Sequence, residues 1–233
     1  MVYLIRTDRF DFYKINDLIV QIQSYNRTIF NLIHSMVALQ DYQYISPDIY
    51  LRLEAESPIK HEYFDGEVFA MAGASDAHVT IALNMASLLL THLKGSGCRV
   101  YMSDMKARVD EHNRFFYPDV MVTCDRRDTE TALYKRFPKL VIEVLSDSTE
   151  AFDRGGKFEE YQSLESLEEY MLINQKRSRI DCFRRNEDNT WSLHSFNSGN
   201  FTIASVEFEG TIEDVYENVV LTAIEKSGSE ESL

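Results

Sequence analysis

Long apolar runs are missing from this 233-residue chain. Each run is short and is broken by Lys, Arg, Asp or Glu. None reaches the roughly 20 apolar residues of a membrane helix, so no membrane partner is expected. A signal-peptide layout is missing too, because Arg6, Asp8, Arg9 and Asp11 break any early apolar core. Cysteine is scarce: Cys98, Cys124 and Cys182 are odd in number and far apart. They match neither a disulfide framework nor a zinc spacing, and read as free thiols in a reducing cytoplasm. Basic charge is in deficit, with 24 Lys and Arg against 38 Asp and Glu and a net charge of −14. That opposes a simple basic nucleic-acid binder, whose affinity comes mostly from Lys and Arg on phosphates. It leaves room for an enzyme that brings a divalent cation to a polyanion locally.

Several chemistries lack their signatures. Gly155-Gly156 lacks the spacing of a phosphate-binding loop, and Ser146-Asp147-Ser148 is no nucleophile elbow. The six histidines show no HExxH or paired spacing. There is no internal repeat, and no low-complexity segment precedes the C-terminal tail.

What is present is a globular composition, 44% apolar and 12% aromatic. Residues 1–43 form an extension. Ile15, Leu18, Ile19 and Ile22, then Ile29, Leu32, Ile33 and Met36, have the spacing of amphipathic helices. Residues 44–222 read as one domain. Residues 223–233 read as an acidic, disordered tail, since Ser205 to Leu233 holds eight acids against one Lys.

Within the domain, Ser46-Pro47-Asp48 starts a helix with Ile49, Tyr50 and Leu53 on its apolar face, and Ser57-Pro58 stops it. Asp65-Gly66 turns a hairpin. Ala74-Ser75-Asp76 opens a long helix that ends near Lys94-Gly95, with Ala82, Met85, Ala86, Leu89 and Leu93 inward and His78 on the same face. Cys98 to Val109 and Phe115 to Thr123 read as two strands, the second interrupted at Pro118. Arg126, Arg127, Lys135, Arg136 and Lys139 make a polar loop or a basic rim beside a site. Leu140 to Leu145 reads as a central buried strand, and Glu168 to Asn174 as its parallel neighbour through a helix. Ser178 to Arg185 and Thr190 to Phe196 form a hairpin. Phe201 to Phe208 is a last strand, and Ile212 to Tyr216 a helical turn.

Three charged residues stand out, Asp119, Glu143 and Lys157, and two of them interrupt runs that should otherwise be buried. Two carboxylates near the ends of adjacent strands make a hard oxygen site suited to Mg²⁺ or Mn²⁺, and a strand-end carbonyl such as that of Val144 adds a ligand. A lysine beside it can orient water or stabilise phosphoryl charge. The same three residues also fit a buried ion pair, and spacing leaves both readings open.

Tyr117-Pro-Asp-Val-Met-Val122, Val141-Ile-Glu-Val-Leu-Ser146, Asp153-Arg-Gly-Gly-Lys157 and Glu169-Tyr-Met-Leu172, with His61-Glu-Tyr-Phe-Asp-Gly-Glu67 and His78, form an ordered set. It resembles the Uma2 family (DUF820) of the restriction-endonuclease-like PD-(D/E)XK superfamily. The superfamily's usual lysine position holds Leu145, and Lys157 on the following helix takes its place. Position 147 is Asp, where the family often has proline. The resemblance runs from about Tyr44 to Val219. It implies an α/β (α+β) fold: a restriction-endonuclease-like mixed β-sheet flanked by helices, with added N-terminal helices and β-hairpins. It implies Mg²⁺ (or Mn²⁺) held by Asp119, Glu143 and the Val144 carbonyl, with Lys157 as catalytic support and Glu62 and His78 in supporting places. The expected activity is metal-dependent cleavage of nucleic acid, DNA first, by a homodimer. The alternative is a nuclease-fold module that binds nucleic acid or protein without cutting. Because the resemblance starts past the first forty residues, Met1 to Ser35 reads as an upstream extension, with translation starting at Met36.

Overall fold

A computed structural model describes residues 44–221. The expected N-terminal helices, the start at Met36 and the acidic tail lie outside the described residues. The chain has a mixed α+β architecture, and its described residues fall into two compact units, 44–71 and 72–221.

The first unit holds helix α1 (Pro47–Glu56) and strands β1 (His61–Phe64) and β2 (Glu67–Ala70). Ser46 caps α1, its hydroxyl accepting from the Ile49 N–H. The strands pair antiparallel around Asp65-Gly66, both at positive φ, 42° and 100°. Glycine is required at the second position for a further reason. A Cβ on Gly66 would collide with the Tyr44 ring. The expected apolar face of α1 is corrected. Tyr50 and Glu54 are buried, while Ile49 and Leu53 are 40% and 37% exposed. Glu54 can turn inward because His61 meets it: His61 N–H donates to Oε1 at 2.9 Å, and Nδ1 lies 3.0 Å from Oε2.

The second unit begins with helix α2 (Asp76–His92), capped by Ser75 and ended by Gly95 at φ 84°. Strands β3 (Arg99–Met102), β4 (Lys106–Val109), β5 (Arg114–Phe116) and β6 (Val120–Thr123) follow. The 3-10 turn Arg126–Thr129, β7 (Tyr134–Lys135) and β8 (Pro138–Leu145) come next. Helices α3 (Glu150–Arg154) and α4 (Gly156–Gln162) lead into β9 (Glu169–Asn174), β10 (Ile180–Arg185) and β11 (Trp191–Phe196). Strand β12 (Asn200–Ile203), the 3-10 turn Ala204–Val206, β13 (Phe208–Thr211) and α5 (Ile212–Val215) complete the unit.

Six strands form one mixed sheet in the order β11-β10-β9-β8-β6-β3. β8 lies inside it, antiparallel to β6 and parallel to β9, as the apolar run from Leu140 to Leu145 requires. Alternation along β8 sorts its side chains into two layers. Ile142 and Val144 join the α2 residues Ile81, Met85 and Leu89 in one apolar core, with Phe201, Ile203 and Val215 from the C-terminal elements. Glu143 faces the other way, where Tyr161 of α4 reaches it.

Two expected strands are divided. Cys98 to Val109 breaks at Ser103, which takes φ 25°, so β3 joins the six-stranded sheet while β4 pairs with β5 and β7. Phe201 to Phe208 breaks at the 3-10 turn, and β12 pairs with β13 as a hairpin. The free-thiol reading is overturned for two of the three cysteines. The antiparallel register sets Arg99 opposite Thr123, so Cys98 falls opposite Cys124, and the two are disulfide-bonded with Cα atoms 4.0 Å apart. The argument from free thiols to a reducing cytoplasm is thereby removed. Cys182 is a free, buried thiol. No helix among the described residues is long and apolar enough to cross a membrane.

Candidate active site

β6 and β8 approach each other along Val120↔Ile142 and Met121↔Val141. One step before β6 begins, at Asp119, the chain bends and the ladder stops. Pro118 explains the stop, since it has no N–H for the next rung. Continuing the register would set Pro118 opposite Val144. The Val144 N–H instead donates to Asp119 Oδ2 at 2.8 Å. The Asp119 N–H donates to Glu143 Oε2 at 3.3 Å. Two carboxylates are thus drawn together at the place where the sheet opens.

Each carboxylate has a further partner from a different layer. His78, in the first turn of α2, sets Nε2 2.9 Å from Asp119 Oδ1. A carboxylate only accepts, so Nε2 carries the proton in this contact. Lys157, at the start of α4, sets Nζ 3.1 Å from Glu143 Oε1, and the Tyr161 hydroxyl donates to that oxygen at 3.4 Å. The ammonium also lies 3.7 Å from Asp153 Oδ1 and 5.5 Å from the centre of the Phe116 ring. The Lys157 and Glu143 side chains are 7% and 4% exposed, those of His78 and Asp119 15% each. Asp119 is therefore the acid nearer to solvent, and Glu143 the deeper one.

The structure brings together four of the residues singled out in the sequence: His78, Asp119, Glu143 and Lys157, with Val144 beside them. Glu62 is on β1 in the first unit and is 7% exposed. Sequence reading gave no task to Asp153 or Tyr161. Asp153 was visible as an acid four residues before Lys157, a spacing that faces one side of a helix. Tyr161 is an aromatic residue in the helical run after β8, a type that suits core packing and so hides its hydroxyl.

No group of three or more His, Cys, Asp or Glu side chains with metal-holding geometry occurs among the described residues. Mg²⁺ does not need one, since it is commonly bound through one or two carboxylates and keeps several waters. Asp119, Glu143, Asp153 and Lys157 together carry two more negative charges than positive while His78 is neutral. Hard oxygen donors with excess negative charge fit a small divalent cation.

Most cations of the basic loop have acidic or carbonyl partners. Arg127 pairs with Asp125, Arg136 with Asp110 and Lys139 with Glu168. Lys135 is buried and donates to the carbonyls of Asp128 and Thr131. Arg127, Arg136 and Lys139 line a cavity of about 720 Å³ with Asp110, Asp125 and Phe137. It lies by the Thr123↔Pro138 end of β6 and β8, away from Asp119 and Glu143.

A family model, Uma2, described as "Putative restriction endonuclease", matches residues 47–215. The uncharacterized protein slr1290 of Synechocystis sp. is 37% identical over 173 residues, 74% of this chain and 91% of that protein. A second Synechocystis protein, uncharacterized sll1609, is 32% identical over 161 residues, 68% of this chain and 89% of its own length. Among solved structures, a crystal structure described as "a putative nuclease belonging to DUF820" from Anabaena variabilis matches with a TM-score of 0.61 at 16% identity. It covers 74% of this chain and 97% of that one. At that identity the likeness carries the fold alone.

Proposed function

Because this chain belongs to the Uma2 family, matched across residues 47–215, we propose that it is a divalent-metal-dependent endonuclease that hydrolyses phosphodiester bonds of nucleic acid, DNA first. The observation that carries the reading is the meeting of Asp119 and Glu143 where β6 leaves β8, with Lys157 3.1 Å from Glu143. Asp119, Glu143 and the Val144 carbonyl would hold Mg²⁺ or Mn²⁺. When bound, the cation supplies charge neutralisation at the phosphoryl group and lowers the pKa of water.

The chain's own groups do the rest. His78 holds Asp119 by Oδ1 and the Val144 N–H holds it by Oδ2, so this carboxylate cannot rotate freely. Tyr161 orients Glu143 through Oε1. Lys157, beside Glu143, would stabilise phosphoryl charge or orient the attacking water. The strand carrying Glu143 is buried from Leu140 to Leu145, and Lys157 lies on the buried face of its helix with Phe158 and Tyr161, so neither group needs reordering.

A second reading is a nuclease-fold module that binds without cutting. It is favoured by the Glu143–Lys157 pair, which already neutralises one of the two acids. Incubation with supercoiled plasmid and with single-stranded DNA, with Mg²⁺ or Mn²⁺, separates the two. Wild type should cut. Asp119→Ala and Lys157→Ala should each lose roughly 10²-fold or more, as expected when a metal ligand or charge-stabilising donor is removed. Cleavage that persists unchanged in both variants would reject the assignment, and absence of cutting and of metal binding in wild type would favour the module.

A further inference from the structure

One buried carboxylate beside the site has no task in the reading above. Asp153 is 3% exposed, and its Oδ1 lies 3.7 Å from Lys157 Nζ. It stands on α3, four residues before Lys157 on α4. Its backbone is held twice. The Asp153 N–H donates to the Thr149 carbonyl at 2.8 Å, and the Tyr170 hydroxyl donates to the Asp153 carbonyl at 3.0 Å. Tyr170 in turn stacks on Phe158, the residue after Lys157, with ring centres 5.0 Å apart and an interplanar angle of 6°. Asp153 and Lys157 are therefore fixed to one aromatic platform on β9.

Lys157 thus lies between two acids, Glu143 and Asp153, and both pairs are almost fully buried. If Glu143 also holds a divalent cation, that cation repels the ammonium across a short distance and a low dielectric. With Glu143 as its one acid, the ammonium would stay and oppose the metal, or leave the site. A second acid four residues upstream removes the conflict.

We propose that Asp153 is a positioning residue that keeps the Lys157 ammonium in the site while Glu143 serves the divalent cation. The proposal rests on the roles given to Glu143 and Lys157 above. Asp153 acts through Lys157 and needs no contact with cation or substrate. A merely structural ion pair at the α3–α4 junction would affect stability and leave metal affinity alone.

The test uses the full chain and two readouts: Mn²⁺ affinity by electron paramagnetic resonance, and cleavage kinetics. Wild type, Asp153→Asn, Lys157→Met and the double variant form a cycle. Asp153→Asn should weaken Mn²⁺ binding and lower kcat, each roughly 10–100-fold, as for groups that support a metal ligand from behind. In the Lys157→Met background the same change should leave Mn²⁺ affinity nearly unmoved, because no ammonium remains to be placed. An equal loss in both backgrounds overturns the proposal, since Asp153 would then act as a bare charge. Wild-type affinity and turnover in Asp153→Asn, with turnover lost in Lys157→Met, overturns it and leaves the nuclease reading standing. No Mn²⁺ binding by wild type, or full cleavage by Lys157→Met, sinks that reading and this proposal together. If Asp153→Asn fails to fold with its uncompensated lysine, the double variant removes both charges. It should match Lys157→Met in Mn²⁺ affinity, and a further tenfold loss would overturn the proposal.

Discussion

Glu143 carries a charge into a strand whose neighbours Val141, Ile142, Val144 and Leu145 are all buried. An isolated carboxylate there would be costly, and breaking a buried ion pair typically costs about 3–5 kcal/mol. Lys157 has Asp153 as a second acid, so Glu143→Gln should cost less than that range in chemical unfolding. The amide still accepts from Tyr161 while losing the charge, so Mn²⁺ binding should vanish. If titration shows no Mn²⁺ binding in either protein, Glu143 serves as an ion-pair partner alone. The two carboxylates of the candidate site, Asp119 and Glu143, stood out because each interrupts an apolar run, whereas Lys157 follows Gly155-Gly156 and stood out only within the family pattern. His78 was legible from helical periodicity, because it falls on the same face as Ala82. The Glu54–His61 pair was hidden, since its partners join across a loop and neither breaks a pattern. Tyr161 and Asp153 were hidden because their residue types also suit a core and a helix surface.

Elements with a strong local rule were legible. Asp65-Gly66 demanded positive φ twice, and Ser46-Pro47 and Ser75-Asp76 started helices where a side-chain oxygen could accept an N–H. The parallel placement of β8 and β9 followed from the intervening helix. Strands β3 and β4, and β12 and β13, were run together because no Gly or Pro stands at either break. Ser103 and Glu207 take positive φ there instead, 25° and 52°. The disulfide depended on the same missing register. Only when β3 is set against β6 do Cys98 and Cys124 face each other. Their bond closes a loop with a sequence separation of 26, which corresponds to about 3–4 kcal/mol of lost unfolded-state entropy. Cys98→Ser, or reduction with a phosphine, should lower the urea midpoint by a corresponding amount. An unchanged midpoint would mean that the thiols are not joined in solution.

The net charge of −14 acts on the molecule as a whole. Several cations of the basic loop are paired locally: Arg127, Arg136 and Lys139 each meet an acid. Net charge could not tell which carboxylates are tied down. Asp181 is one. Burial alone would push its carboxyl up, but hydrogen bonds from Arg179, Ser195 and Arg154 outweigh burial and hold it below the ordinary carboxylate range. The Arg154 contact, at 3.0 Å, joins α3 to β10, and the Ser195 contact, at 2.6 Å, joins β11 to β10. A carboxyl with a lowered folded pKa contributes stability that is fully present above its unfolded value. That contribution is lost as pH falls through the lower, folded value. Thermal unfolding should therefore become easier below about pH 4. Asp181→Asn should lower the melting temperature at pH 7, because two guanidinium groups lose their shared acid. It should also flatten the decline below pH 4, since the group that titrates there is gone. Parallel melting curves for wild type and variant from pH 7 to pH 2 would show that the Arg179–Asp181–Arg154 cluster does not govern the acid limb.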